Sequence, residues 1–365
     1  MSHTEQHPLI DLTAELPADA SSKLKERRAF FRKAGLAAFA ASASAEAFAQ
    51  NFDRYAPGAP PVRYPEPDVI ALDKRFKYKL GNTPIMRLYR GTMWAEGPAW
   101  NGVGRYLVWS DIPNDRLLRW DETTGAVGVF RSPAGYPNGS TLDLQGRLIT
   151  CEQGNRRVTR TEHDGSITVL AERFRGKRLN SPNDAVVRSD GSVWFSDPEF
   201  GIATDYEGHR AESEIGARNV YRIDPASGEV RLVADGFQGP NGLVFSPDER
   251  RLFVSDSLAN HIRVFDVHED GTSLSGGEVF TACAQGTFDN IRFDDEGRLW
   301  AAAMDGGVHC YDPDGTLLGR ILVPGTVANV RFGGARRNRL FIAADTTLYS
   351  LMMSVTGTPA LPLSR

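Results

Sequence analysis

The sequence predicts an all-β protein, a six-bladed β-propeller with a metal site in its central channel. Three observations lead there: one phrase returns six times, short alternating segments lie between its copies, and one polar residue recurs at a fixed phase of each copy. The phrase is a turn, then Arg-Leu or an equivalent, then a β-rich run that often ends at an acid. Its copies run 105–111, 147–152, 192–197, 251–256, 298–302 and 339–344. Successive starts lie 42, 45, 59, 47 and 41 residues apart.

Each copy is preceded by a turn signal, among them Asn101-Gly102, Gln145-Gly146, Asp190-Gly191 and Glu296-Gly297. Between copies lie two further alternating runs joined by hairpin turns. One pair is Asn219-Val220-Tyr221-Arg222-Ile223 and Glu229-Val230-Arg231-Leu232-Val233, around Asp224-Pro225-Ala226-Ser227-Gly228. Four short antiparallel strands per roughly 45 residues describe a propeller blade. Residues 94–355 then form six blades, 50–93 an N-terminal extension whose strand closes the ring against the last blade, and 356–365 a tail.

Composition sets the class. Of 365 residues 41% are hydrophobic and 24% charged, with 42 basic against 46 acidic residues, a formal net charge of −4. The charges are interspersed and give no phosphate-binding footprint, which argues against nucleic acid as a partner. No apolar run reaches the roughly 18 residues needed to span a bilayer.

Residues 1–49 read as a secretory leader. Arg27-Arg28 precedes a weakly apolar alanine-rich stretch that ends Ala47-Phe48-Ala49, and the arginine pair favours twin-arginine export. The protein is therefore expected in the periplasm. The competing reading of this stretch is an amphipathic N-terminal helix.

Cys151, Cys283 and Cys310 match neither a zinc site nor a Cys-x-x-Cys pair and are expected as small buried hydrophobes. The five histidines beyond the leader form no i,i+4 pair. Gly-x-Ser-x-Gly and the phosphate-loop pattern are also missing.

Nine or ten residues before each Arg-Leu position stand Glu96, Asn138, Asn183, Asn241, Asp289 and Asn329. All six are carboxylates or carboxamides at the start of the innermost strand, where a propeller chain passes close to the channel. Asn and Asp also favour such turns for purely conformational reasons, and Asn138 or Asn329 alone would carry little weight. As a ring, two carboxylates with several amide oxygens and no sulfur suit one hard divalent cation, Ca²⁺ ahead of Mg²⁺, with Zn²⁺ a further alternative.

These residues lie in phrases that resemble the SMP-30/gluconolactonase/LRE-like (regucalcin-related) family, close to its bacterial gluconolactonase branch, over roughly residues 70–355. The phrases include Trp94-Ala95-Glu96-Gly97-Pro98, Gly154-Asn155-Arg156-Arg157, Asn180-Ser181-Pro182-Asn183-Asp184 and Gly239-Pro240-Asn241-Gly242. The resemblance implies a propeller hydrolase with Glu96, Asn183, Asn241 and Asp289 as metal ligands, and Asp289 as catalytic base or nucleophile. It places Asn138 and Asn180 in the substrate pocket, and Asn329, the remaining ring member, is grouped with them.

The sequence departs from the family pattern twice. Gln153 stands where the family commonly has histidine. Asn290 follows Asp289 where glycine is common, and is expected to accept a left-handed turn. The implied substrate is a sugar lactone such as glucono-1,5-lactone. The alternatives are other lactones or phosphotriesters, or a non-catalytic propeller that binds a sugar or a protein partner.

The leader reading makes a direct prediction. Converting Arg27 and Arg28 together to lysine should strand uncleaved protein in the cytoplasm, as followed by cell fractionation. Undiminished periplasmic protein beginning near Gln50 would rule out the twin-arginine route.

Overall fold

The computed structural model describes residues 54–56, 59–76 and 81–358, so the leader at 1–49 lies outside the described residues. The chain divides into two units, 1–61 and 62–365. In the first unit, Arg54 to Ala56 form a turn and a bend. Among the described residues, all strands belong to the second.

Six antiparallel blade sheets follow one another along the chain, each holding four consecutive strands or three completed from the N-terminus, and a two-stranded sheet, Arg173–Phe174 with Lys177–Arg178, lies between the second and third. Blade 1 is Ala95–Asn101, Tyr106–Asp111, Arg116–Asp121 and Val127–Arg131. Blade 2 runs from Pro137–Leu142 to Ile167–Ala171, blade 3 from Ala185–Val187 to Val230–Ala234, and blade 4 from Pro240–Phe245 to Leu274–Ala282. Blade 5 runs from Ile291–Phe293 to Leu317–Ile321, and blade 6 supplies Val327–Gly333, Arg339–Ala344 and Thr347–Met352.

Met86–Arg90 pairs antiparallel with Thr347–Met352 and completes blade 6 as its outermost strand. Val69–Ala71 adds a fifth strand at the edge of blade 5, against Leu317–Ile321. The alternating hydropathy around residues 86–90 flags the first of these. The second is too short to leave a periodic signal.

Burial falls away from the axis. Strand Ala95–Asn101 is buried at every residue but its last, and Leu148–Glu152 and Val193–Asp197 throughout. The outermost strands Val127–Arg131 and Ile167–Ala171 mix exposed and half-buried positions. This is why the recurring phrase, which forms the second strand, is so apolar, while the fourth strands alternate.

Apolar clusters fill the spaces between neighbouring blades. Val158, Leu179 and Phe195 pack between blades 2 and 3, and Leu243, Val254 and Trp194 between blades 3 and 4. Trp109, Trp100 and Phe341 pack between blades 1 and 6. Trp300 of blade 5 meets Phe332 of blade 6 edge-on at 5.9 Å. Cys151 and Cys310 are buried free thiols, as small hydrophobes should be, whereas Cys283 is half-buried and its thiol contacts the Gln285 carbonyl.

Close to the axis the blades approach so tightly that side chains are excluded. Gly97 has φ +54°, and a Cβ there would lie 1.9 Å from the Asn138 carbonyl oxygen of the next blade. We expect Gly97→Ala to lower stability by roughly 2–4 kcal/mol through overpacking and backbone strain. Gly125, with φ +73° but open space around it, isolates the strain alone, and Gly125→Ala should cost about 1 kcal/mol. Equal losses in urea unfolding would show that the axial contact relaxes freely.

Candidate functional site

The six ring residues all sit where an innermost strand begins, and all six are buried, from 1% exposed at Asn329 to 5% at Asn183 and Asn241. Contacts pass from each blade to the next around the axis. Gly97 abuts Asn138, and Gly139 N donates to Asn183 O at 2.7 Å. Leu243 N lies 3.4 Å from Asp184 Oδ2, and Gly242 abuts Asp289 O and Asn290. Asn290 N donates to Ala328 O at 3.2 Å, and Asn329 Nδ2 donates to Glu96 Oε2 at 2.7 Å, which closes the circle.

The acid and the hydroxyl of the recurring Ser-Asp phrase aim these residues. Ser110 Oγ donates to Asn138 O (2.6 Å), Ser196 Oγ to Asn241 O (2.6 Å) and Ser255 Oγ to Asp289 O (2.5 Å), each reaching the ring residue of the following blade. The neighbouring acid holds the lead-in of its own blade. Asp111 accepts from Met93 N (2.8 Å), Asp197 from the Asn180 and Ser181 N–H groups, and Asp256 from those of Gln238 and Gly239. In blade 6, Asp345 accepts from Thr326 N at 2.9 Å.

Blade 2 has Glu152 instead, which gathers Arg131, Asn155, Arg157 and Thr159. Beside it, Arg156 Nε donates to the Leu179 and Asn180 carbonyls at 2.7 and 3.0 Å. The Gly-Asn-Arg-Arg phrase therefore braces the loop that delivers Asn183.

The two ring carboxyls are electrostatically loaded. Burial pushes Glu96 up to about 7, against the stabilising hydrogen bonds from Asn329 and from Gly97 N. Burial also lifts Asp289 well above the carboxylate range, and the charges of Glu96 and Glu207 add to it, while the Asn241 side chain pulls the other way. Asp289 Oδ1, Asn138 Oδ1 and Asn329 Oδ1 are buried without a hydrogen-bond partner. Asn241 has its amide N–H on Ser257 Oγ (3.0 Å).

Buried oxygens without donors beside two mutually repelling carboxylates form an environment that a cation would relieve. Among the described residues no three His, Cys, Asp or Glu side chains come together. The ligands that the resemblance implies for a cation here are Glu96 and Asp289 with the amide oxygens of Asn183 and Asn241. That donor set is hard, and it fits Ca²⁺ or Mg²⁺.

Asn180 is held by three hydrogen bonds within the protein. Its Nδ2 donates to the Asp197 and Ala217 carbonyls, and its Oδ1 accepts from Ser213 Oγ at 2.6 Å. The side chain pins these loops, with two hydrogen bonds donated and one accepted. Asn290 takes no left-handed backbone, and the close approach at this point is made by Gly242 of the preceding blade, where a Cβ would fall 2.6 Å from the Asn290 Cα. Gln153 is fully buried, its amide unpartnered, beneath Gly201, where a Cβ would fall 2.3 Å from its Oε1.

Sequence reasoning passed over one acid, Glu207. It lies on a segment between the second and third strands of blade 3 that includes the short helix Phe200–Ala203, α1. That segment accounts for the 59-residue interval, the longest of the five. A repeat search treats it as an interruption and gives its residues no phase.

The comparisons with known proteins bear on the fold and the family. The SMP-30/Gluconolactonase/LRE-like region model matches residues 94–346. A gluconolactonase from Zymomonas mobilis is 30% identical over 303 residues, 76% of this chain and 83% of that protein. A pentonolactonase from Haloferax volcanii is 29% identical over 259 residues, 68% of this chain and 80% of that one. The solved structure of a gluconolactonase from Xanthomonas campestris superimposes with a TM-score of 0.75 at 38% identity, covering 82% of this chain and 99% of that one. With a family match spanning all six blades and the ring residues in place, the chain belongs to the SMP-30/gluconolactonase/LRE-like family.

Proposed function

We propose that the protein hydrolyses a sugar lactone such as glucono-1,5-lactone to the aldonic acid, that the reaction depends on a Ca²⁺-type ion, and that it takes place in the periplasm. The observation that carries the reading is the axial pairing of Glu96 and Asp289 among unpartnered amide oxygens. Relatives named as gluconolactonase and pentonolactonase support the substrate class. The Arg27-Arg28 leader supports the location.

Bound at Glu96, Asn183, Asn241 and Asp289, the cation would supply positive charge for the lactone carbonyl oxygen as it becomes an oxyanion. The chain's own residues do the rest. Asp289 has one carboxylate oxygen free of protein partners, so it can take a proton from water or attack the acyl carbon itself. Asn138 and Asn329 keep unpartnered oxygens that can accept from sugar hydroxyls. Asn180 acts one step back, holding the loop that presents Asn183. Burial of the ring keeps bulk water from screening these charges.

Two predictions follow from the division of roles. Glu96→Gln removes one of two charged ligands and should weaken Ca²⁺ binding at least about tenfold in calorimetric titration, more than Asn183→Ala or Asn241→Ala. Unchanged affinity in Glu96→Gln would refute the ring as a cation site. Asp289→Asn keeps an oxygen donor but cannot act as base or nucleophile. Its kcat on glucono-1,5-lactone should stay about 10²–10⁴-fold low at saturating Ca²⁺. Near-wild-type turnover at full metal occupancy would remove Asp289 from the chemistry.

A further inference from the structure

Glu207 has no counterpart in the repeat, and four contacts fix where its segment lies. His209 packs edge-on against Tyr136 at 4.9 Å, and Tyr136 stands two residues before Asn138. Ser213 Oγ is bonded to Asn180 and Gly201 N to Ser181 Oγ (3.0 Å), both in the lead-in to Asn183. Gly208 sits so close to the Gly201 carbonyl oxygen that a Cβ would fall 2.2 Å from it. The segment is thus strapped down at the starts of two adjacent inner strands, with Glu207 next to the tightest point.

The carboxylate is half-buried and, among the described residues, has no hydrogen-bond or ion-pair partner. Its charge bears on both Glu96 and Asp289. A half-buried carboxyl on a separate element strapped to the lead-ins of Asn138 and Asn183, with nothing in the protein to hold, is available to a substrate there.

We propose that Glu207 is the general acid of the lactonase reaction, giving its proton to the ring oxygen as the acyl–oxygen bond breaks. This rests on the lactonase reading above. A sugar lactone expels an alkoxide, a poor leaving group, and a proton delivered in the transition state removes that barrier. The incoming water oxygen bonds to the carbonyl carbon while Asp289 takes a water proton. The bond from the acyl carbon to the ring oxygen breaks with both electrons on oxygen, which takes the proton of Glu207. The products are a hydroxyl and a carboxylic acid, and the proton on Asp289 returns to Glu207 through solvent. Burial raises the Glu207 carboxyl to about 6, so a share of it holds the needed proton near neutrality.

The test compares leaving groups. Wild type, Glu207→Gln and Glu207→Asp are assayed on glucono-1,5-lactone, which releases an alkoxide, and on dihydrocoumarin, which releases a phenoxide. Glu207→Gln should lose about 10²-fold or more in kcat on the sugar lactone and under about threefold on the aryl lactone, with partial recovery in Glu207→Asp. The alkaline fall of wild-type kcat/KM should also flatten in Glu207→Gln. Equal losses on both lactones, no loss on either, or an unchanged alkaline limb would overturn the proposal while leaving the lactonase reading intact. A wild type inactive on every lactone would remove that reading and this inference with it.

Discussion

The site depends on one repeated interaction, in which a serine hydroxyl of one blade holds the backbone carbonyl of the next blade's ring residue. It is made by Ser110, Ser196 and Ser255, and the following acid in each case secures the lead-in of its own blade. Hydrogen bonds to a buried carboxylate are worth about 1.5–3 kcal/mol each, and leaving their partners unmet costs as much again. A dipeptide used this way sets the position of two ring residues, one in its own blade and one in its neighbour. The blades therefore cannot shift independently, and the axial geometry is a property of the closed ring.

That closure explains how two carboxyls can be kept buried side by side. Left to relax, Glu96 and Asp289 would turn to solvent or separate. Their backbones cannot move, because Gly97 is seated against Asn138 O and Asp289 O is held by Ser255. Asn329 and Gly97 N satisfy one oxygen of Glu96. Asp289 Oδ1, Asn138 Oδ1 and Asn329 Oδ1 stay unsatisfied at these strand starts, an arrangement that the proposed cation and a polar substrate would relieve.

How much of this is legible in the sequence depends on whether a feature repeats. The ring residues share a phase, so Glu96, Asn138, Asn183, Asn241, Asp289 and Asn329 can be found by counting. The Trp-Ser-Asp run in the second strand shows the acid that holds the lead-ins, although its hydroxyl partner is visible only in three dimensions. Asn180 is marked in the sequence only by its phrase, and its bonds to Asp197, Ala217 and Ser213 are visible only in three dimensions. Asn290 misleads because glycine serves two purposes at this phase, a left-handed turn at Gly97 and close approach at Gly242. Val69–Ala71 and Glu207 are silent in the sequence, the one being three residues long and the other standing outside the period.

On the proposed reading, the split between repeat and interruption also separates two parts of the chemistry. Six equivalent strand starts can supply only what one turn position supplies, a short polar side chain directed at the axis. That is enough to hold a cation and orient a carbonyl, and any lactone presents the same carbonyl. Nothing in such a ring distinguishes the acyl side of the ester from the side that leaves. Distinguishing them requires a group that approaches from one direction only, and in a closed ring that group must come from a connection longer than the period allows. The segment after Asp197 is that connection here: it is anchored at Tyr136, Asn180 and Ser181 and carries an acid with no partner of its own.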